Sequence, residues 1–223
     1  MAGVSGLHDG IATPPQIRAV VFDIGQVLVR LRPAPLFALL AAHGYEPDDL
    51  ERVAQRIGIV EHETGRLDGA GLLANVAALA PRPPDAAAVR AAWLDMFEPE
   101  PRMFALAARL RATHGVFLLS NVGELHWAQL CERYRIHEVG HDAIASFLTG
   151  RMKPDPAIYL EAERRFGLDP RRTVFIDDRR PNIEAARARG WHAVHHEDIG
   201  TTFRALRALG IGTPSSADQD SLA

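Results

Sequence analysis

Apolar and mostly β-branched residues run from Val20 to Val29, broken by a carboxylate at Asp23 and a glycine at Gly25. Such a run predicts a strand buried on both faces of a parallel sheet, ending in a loop that carries chemistry. Leu, Ala and Val then recur at three-and-four spacings over 33–42, 48–57, 68–80 and 85–97, with Pro or Gly in the intervening loops. This pattern predicts four helices, and Asp48, Asp68 and Asp85 are placed as N-caps of the last three. From Glu98 the pattern alternates. A hinge with two prolines, EPEPRM, leads to a helix over 102–113, a strand over 116–121 and a helix over 124–134. A short strand near 143–147, a helix over 156–166, the strand TVFIDD, a helix over 182–189, the strand HAVHH and a helix to Leu209 complete the series.

Strands separated by helices of about ten residues imply parallel pairing with right-handed crossovers. The predicted fold class is therefore α/β, a doubly wound Rossmann-like parallel sheet with a small four-helix insertion after its first strand. The expected boundaries are 17–32 and 99–211 for the sheet domain and 33–98 for the helices. Residues 1–16 and 212–223 lack periodicity and are expected to be a flexible arm and tail.

Composition narrows the classes. The chain has 223 residues, 47% hydrophobic and 24% charged, with a net charge of -3. That balance gives no electrostatic reason to expect nucleic acid or an anionic membrane as partner. One cysteine, Cys131, excludes an internal disulfide and suits a reducing compartment. No run of about 18 apolar residues is present for a membrane span, and the first residues lack the basic-then-apolar order of a secretory signal. The expectation is a cytoplasmic protein, monomer or homodimer, acting on a small molecule.

The strand ends carry the candidate chemistry. In open α/β sheets, ligands bind beyond the carboxyl ends of the strands. Asp23 ends the first strand, Ser120 and Asn121 end VFLLSN, Lys153 follows the next strand, and Asp177 and Asp178 end TVFIDD. Each is ordinary alone, since strand-end aspartates commonly make turns. Together, a hydroxyl, an ammonium and three carboxylates on one rim form an inventory for phosphate and a hard cation such as Mg2+.

With these motifs in this order, the chain resembles the haloacid dehalogenase superfamily of hydrolases from about Arg18 to Leu209. The matching strings are FDIGQV, LLSN, KPDP and FIDDRRPN, and the helical insertion stands where these enzymes carry a small cap. With the string EHETGRLDG, the likeness extends to the branch of α-D-glucose-1-phosphate phosphatase and the N-terminal phosphatase domain of soluble epoxide hydrolases. The resemblance implies that Asp23 is a nucleophile forming a phosphoaspartyl intermediate. It implies Mg2+ held by Asp23, the Gly25 carbonyl and Asp178, with Asp177 and Asn182 positioning ligands or waters. Ser120 and Asn121 would bind phosphoryl oxygens, and Lys153 would neutralise charge. The substrate would be a small phosphorylated metabolite, such as a sugar phosphate.

One position departs from the superfamily. Most of its phosphatases place a second aspartate two residues after the nucleophile, where this chain has Gly25. General acid–base catalysis contributes about 10² to 10⁴-fold, so either turnover is slow or the leaving group needs little help. Sugar 1-phosphates leave as relatively acidic hemiacetals. Two other readings stand beside this one: a haloacid dehalogenase-like carbon–halogen hydrolase, and a weakly catalytic, phosphate-binding regulatory protein. His192, His195 and His196 are expected at the rim without a shared metal. Trp93, Met96, Phe97 and parts of 61–66 are placed as cap core or as wall above the site. The linkers 30–33 and 98–101 are expected to act as hinges.

Overall fold

The computed structural model describes residues 16–46 and 50–213. In chain order, the first elements are β1 (Ala19–Phe22), β2 (Val29–Leu31), α1 (Ala34–Ala42), α2 (Leu50–Ile57), α3 (Ile59–Glu63), α4 (Gly69–Ala77), α5 (Ala86–Leu94) and β3 (Phe97–Pro99). There follow α6 (Pro101–Leu110), β4 (Gly115–Ser120), α7 (Glu124–Tyr134), β5 (Asp142–Ala145), α8 (Ser146–Thr149) and α9 (Pro156–Phe166). The chain continues with β6 (Thr173–Asp177), α10 (Arg180–Ala188), β7 (His192–His195) and α11 (Ile199–Ala208).

Five strands form one sheet in the order β5-β4-β1-β6-β7, and every neighbouring pair is parallel. Strand β1 lies at the centre, and successive side chains leave it on opposite faces. Val20 and Phe22 pack with Met103, Leu106 and Phe203 on one side, while Val21 packs with Tyr159, Ile183 and Trp191 on the other. The sheet is thus covered on both faces, which explains why its strands read as apolar runs. The chain leaves β1 for β4 and β5 on one side, then returns for β6 and β7 on the other. That reversal opens a crevice at the carboxyl end of β1.

The helical block is inserted after β2 and has its own apolar cluster, including Leu40, Val53, Leu72, Val89 and Trp93. Asp68 and Asp85 cap α4 and α5 by accepting hydrogen bonds from Gly71 N and from Ala87 N and Ala88 N, as expected. The proposed cap Asp48 lies outside the described residues, as do 1–15 and 214–223, the bulk of the expected arm and tail. Three details differ from the sequence pattern. The block holds a fifth helix, α3, in the polar EHETGRLDG stretch. The stretch expected as a proline hinge holds a strand, β3, which pairs antiparallel with β2 and ties both crossings into one ribbon. Ion pairs Arg32–Glu98 at 2.6 Å and Arg30–Glu100 at 2.7 Å flank it. Finally, α10 starts two residues before Asn182, so Asn182 sits on the first helical turn and not in a loop.

The block docks on the sheet domain through α3. A Cβ at Gly123, just before α7, would stand 2.1 Å from His62 Cδ2. Only a glycine permits that approach. Overpacking of this kind typically costs 1–3 kcal/mol. Gly123→Ala is therefore expected to lose about that much stability in urea unfolding, and an unchanged midpoint would show that the contact is dispensable.

Candidate active site

Strand ends deliver the expected residues to one place. Asp23 follows β1, and its Oδ1 accepts hydrogen bonds from Ile24 N (2.7 Å) and Ser120 Oγ (2.7 Å). Lys153 Nζ stands 2.9 Å from the same oxygen and 2.7 Å from Asp177 Oδ2. The lysine is 1% exposed and Asp177 0% exposed, so this is a buried carboxylate–ammonium–carboxylate chain. Asn121 fixes the Lys153 loop from both sides: its Nδ2 donates to Lys153 O at 2.9 Å, and its Oδ1 accepts from Lys153 N at 2.8 Å. Asp155 caps α9 through Ala157 N, with Pro156 in the first turn, and anchors the far side of that loop.

Burial dominates the electrostatics. It pushes the Asp23 carboxyl up to about 6, Lys153 opposing and Asp177 adding to the rise. Burial works against the Lys153 charge too, but Asp23 and Asp177 outweigh it and hold the ammonium above the ordinary lysine value. Asp178, beside them, is raised by burial and by Asp177. The Asp23 carboxylate is thereby held against a permanent cation.

Asp23, Asp177 and Asp178 bring carboxylate oxygens within 4.8 Å of one another, the one such grouping of acids, histidines or cysteines among the described residues. An all-oxygen donor set fits a hard cation such as Mg2+. The three are not equally free. Asp177 Oδ1 accepts from Arg179 N (2.8 Å) and Asn182 Nδ2 (2.9 Å), while Oδ2 takes Lys153 Nζ and a second contact to Asn182 Nδ2 (3.0 Å). Asp178 is less buried and carries no such side-chain network, and Asn182 Oδ1 is buried with no hydrogen-bond partner among the described residues. An orphaned acceptor beside carboxylates is what a cation's water would satisfy. The geometry leaves Asp178 with Asp23 as the carboxylates that could hold a cation, whereas Asp177 is taken up by Lys153, Arg179 N and Asn182. It also ties Asn182, expected near substrate, to Asp177 first.

The crevice opens into a cavity of about 340 Å3. Its floor holds Asp23, Gly25, Asn121, Lys153 and Asp178. Its upper wall comes from the helical block and is apolar, with Leu36, Phe37, Val53, Ile57, Trp93 and Met96. Trp93 and Met96 serve both expected roles, since they also belong to the block's own core. His126 stacks on Trp93 with ring centroids 4.7 Å apart and donates from Nε2 to Trp93 O. Burial pushes it down to about 4, so it lines the wall as a neutral ring near pH 7.

Glu63 falls in the 61–66 stretch expected on the wall and His195 was expected at the rim, without the contacts they make, while Ser146 was not singled out by residue pattern. Glu63 ends α3 and reaches the cavity. Ser146, fully buried at the start of α8, accepts from Val122 N at 3.0 Å and donates to Glu63 O at 2.5 Å, joining sheet domain to block. His195 Nε2 donates to Asp178 O at 2.8 Å and braces the acidic loop. His192 and His196 bond elsewhere, to Arg171 O and Thr202 Oγ1, so the three histidines share no site. Gln26 accepts from Leu31 N at 3.3 Å and braces the loop after Asp23.

The haloacid dehalogenase-like hydrolase family profile matches residues 17–190. The chain belongs to that family of hydrolases. A sesquiterpene phosphatase of Aspergillus oryzae, AstK, is 30% identical over 112 residues, 50% of this chain and 57% of that protein. The chain thus spans little more than half the length of this relative. A family enzyme from Bacteroides thetaiotaomicron, solved with magnesium and inorganic phosphate, superposes with a TM-score of 0.73 at 25% identity, covering 84% of this chain and all of that one. The L-2-haloacid dehalogenase of Xanthobacter autotrophicus shares the fold, with a TM-score of 0.59 at 19% identity over 92% of this chain and 86% of that one.

Removing Lys153 strands two buried carboxylates, a change that typically costs 3–5 kcal/mol. Lys153→Met is expected to lose about that much in metal-free urea unfolding at pH 7. Without the lysine, the folded-state pKa of Asp23 rises further above its unfolded value, so lowering the pH from 7 to 5 adds a proton mainly to the folded state. The deficit must therefore shrink on acidification; a pH-independent deficit would contradict the charge chain.

Proposed function

We propose that the protein is a Mg2+-dependent phosphomonoester hydrolase working through a phosphoaspartyl intermediate on Asp23. The observation that carries this reading is the Asp23–Lys153–Asp177 chain, with Asp178 beside it, at the floor of the cavity beneath the helical block. Asp23 attacks phosphorus, and its carboxylate is aimed by Ile24 N and Ser120 Oγ. Lys153 offsets the charge of both Asp23 and the incoming phosphoryl group, while Ser120 and Asn121 border the phosphoryl oxygens. Mg2+, held by Asp23, Asp178 and the Gly25 carbonyl, would reduce the repulsion between anionic nucleophile and anionic substrate. A carbon–halogen hydrolase fits less well, because the acidic loop beside Asp23 would repel a haloacid carboxylate with no phosphate to bind.

The helical block, 33–98, acts in this reading as a cap over the core, 17–32 and 99–211. Its Trp93 and Leu36 face the position of the leaving group and exclude water there. The likeness to the glucose-1-phosphate phosphatase branch suggests a sugar phosphate. The wall argues for another chemistry, because a sugar presents hydroxyls that Phe37, Val53 and Met96 cannot satisfy. We therefore assign a small phosphorylated metabolite with a largely apolar body, in keeping with AstK, a relative named for a sesquiterpene substrate. A cytoplasmic monomer or homodimer remains the proposed setting; among the described residues no helix is long and apolar enough to cross a membrane.

Phosphate release with Mg2+ from isoprenyl, alkyl and aryl monophosphates, sugar phosphates and nucleotides tests both parts. The highest kcat/KM is expected for apolar esters, and Asp23→Asn is expected to lower it by at least about three orders of magnitude. Preference for sugar phosphates would overturn the substrate class. Release unaffected by Asp23→Asn, or by chelation of the metal, would overturn the mechanism.

A further inference from the structure

We propose that Glu63, supplied by the helical block, is the general acid and base that Gly25 cannot be: it protonates the leaving oxygen, then accepts the proton of the hydrolytic water. The inference rests on the phosphatase reading and adds the proton path.

Four observations of geometry support it. The space beside Gly25 is open, since a Cβ there would meet nothing within 4 Å, so the glycine is not enforced by packing and a group from elsewhere can reach that region. Glu63 lines the same cavity as Asp23, Gly25 and Lys153, and it comes from the helical block, whereas those three come from the sheet domain. Its backbone is fixed to the sheet domain, because Glu63 O accepts from the fully buried Ser146 Oγ. Its carboxyl, by contrast, has no hydrogen-bond partner among the described residues, whereas Asp23 and Asp177 are held by Ser120, Lys153 and Asn182.

The other groups on the cavity are committed. Lys153 is locked as an ammonium between two carboxylates. His126 donates its Nε2 hydrogen to Trp93 O, and Asp178 stands in the metal set. The charged groups facing Glu63 are Asp23 from the β1 loop, Arg179 from the acidic loop and Lys153. Burial and then Asp23 push the Glu63 carboxyl up to about 7, with Arg179 and Lys153 opposing. A carboxyl poised near neutrality can give a proton and take one back.

The chemistry balances. As the Asp23 oxygen bonds to phosphorus, the bond from phosphorus to the ester oxygen breaks, and that oxygen takes the Glu63 proton and departs as an alcohol. Water then attacks phosphorus, its proton passes to the Glu63 carboxylate, and the Asp23–phosphorus bond breaks to release phosphate. Glu63 ends protonated, as it began.

The test compares wild type, Asp23→Asn, Glu63→Gln and Gly25→Asp/Glu63→Gln on an alkyl monophosphate and on p-nitrophenyl phosphate, whose leaving group needs no proton. Glu63→Gln is expected to lose about 10² to 10⁴-fold in kcat on the alkyl ester. On p-nitrophenyl phosphate it should release one equivalent of nitrophenolate per enzyme in a burst, then turn over slowly as phosphoaspartate accumulates. Gly25→Asp should restore turnover at least about tenfold, by placing a carboxyl in the open space. Thermal unfolding of Glu63→Gln close to wild type would confirm that the variant folds. Turnover by Glu63→Gln within about threefold of wild type would overturn the proposal, as would equal losses on both esters without a burst or rescue. A wild type that Asp23→Asn matches would instead sink the phosphatase reading itself.

Discussion

The interaction on which the site depends is the buried ammonium of Lys153 between Asp23 and Asp177. Three charges taken out of water are a poor way to stabilise a fold, because desolvation offsets most of their attraction. Their retention in a domain otherwise packed with Val, Phe and Ile points to use in chemistry. The neighbouring structure is arranged around that chain. Asn121 clamps the Lys153 loop, Asn182 and Arg179 N hold Asp177, and Ser120 donates to Oδ1 of Asp23. Each clamp begins at the carboxyl end of a parallel strand or the helix after it, so the sheet's topology sets the spacing.

The helical block supplies what the sheet lacks. A strand-end rim can bind phosphate and a cation, but it is open to water and has no acid at Gly25. The block covers the rim with Leu36, Trp93 and Met96 and brings Glu63 over it, while its two crossings are joined in the β2–β3 ribbon. Contact at Gly123 and Ser146 makes the placement of α3 specific. In the proposed function, labour divides accordingly: phosphate chemistry below, leaving-group selection above.

Much of this was legible in the sequence, for identifiable reasons. The strands are covered on both faces, so they stand out as apolar runs, and the polar residues that follow β1, β4 and β6 are the ones gathered at the cavity. Helices α7 and α9 match their predicted spans because Asp155, Pro156 and Gly167 punctuate the second and the apolar period is regular in both. The ribbon was hidden because two three-residue strands pair across 66 residues and one contains Pro99. Helix α3 was hidden because IVEHE is short and polar outside its context. The distinct roles of Asp177 and Asp178 depend on which of two adjacent carboxylates turns inward to Lys153, and spacing does not encode that.

The measurement that bears most directly on the account is mass analysis of the peptide containing Asp23 after rapid acid quench of a single turnover with Mg2+ and a phosphomonoester. The account predicts a transient peptide heavier by one phosphoryl group, located on Asp23, that disappears as free phosphate appears. Phosphate released with Asp23 never modified, or a phosphoryl group found on another residue, would contradict it.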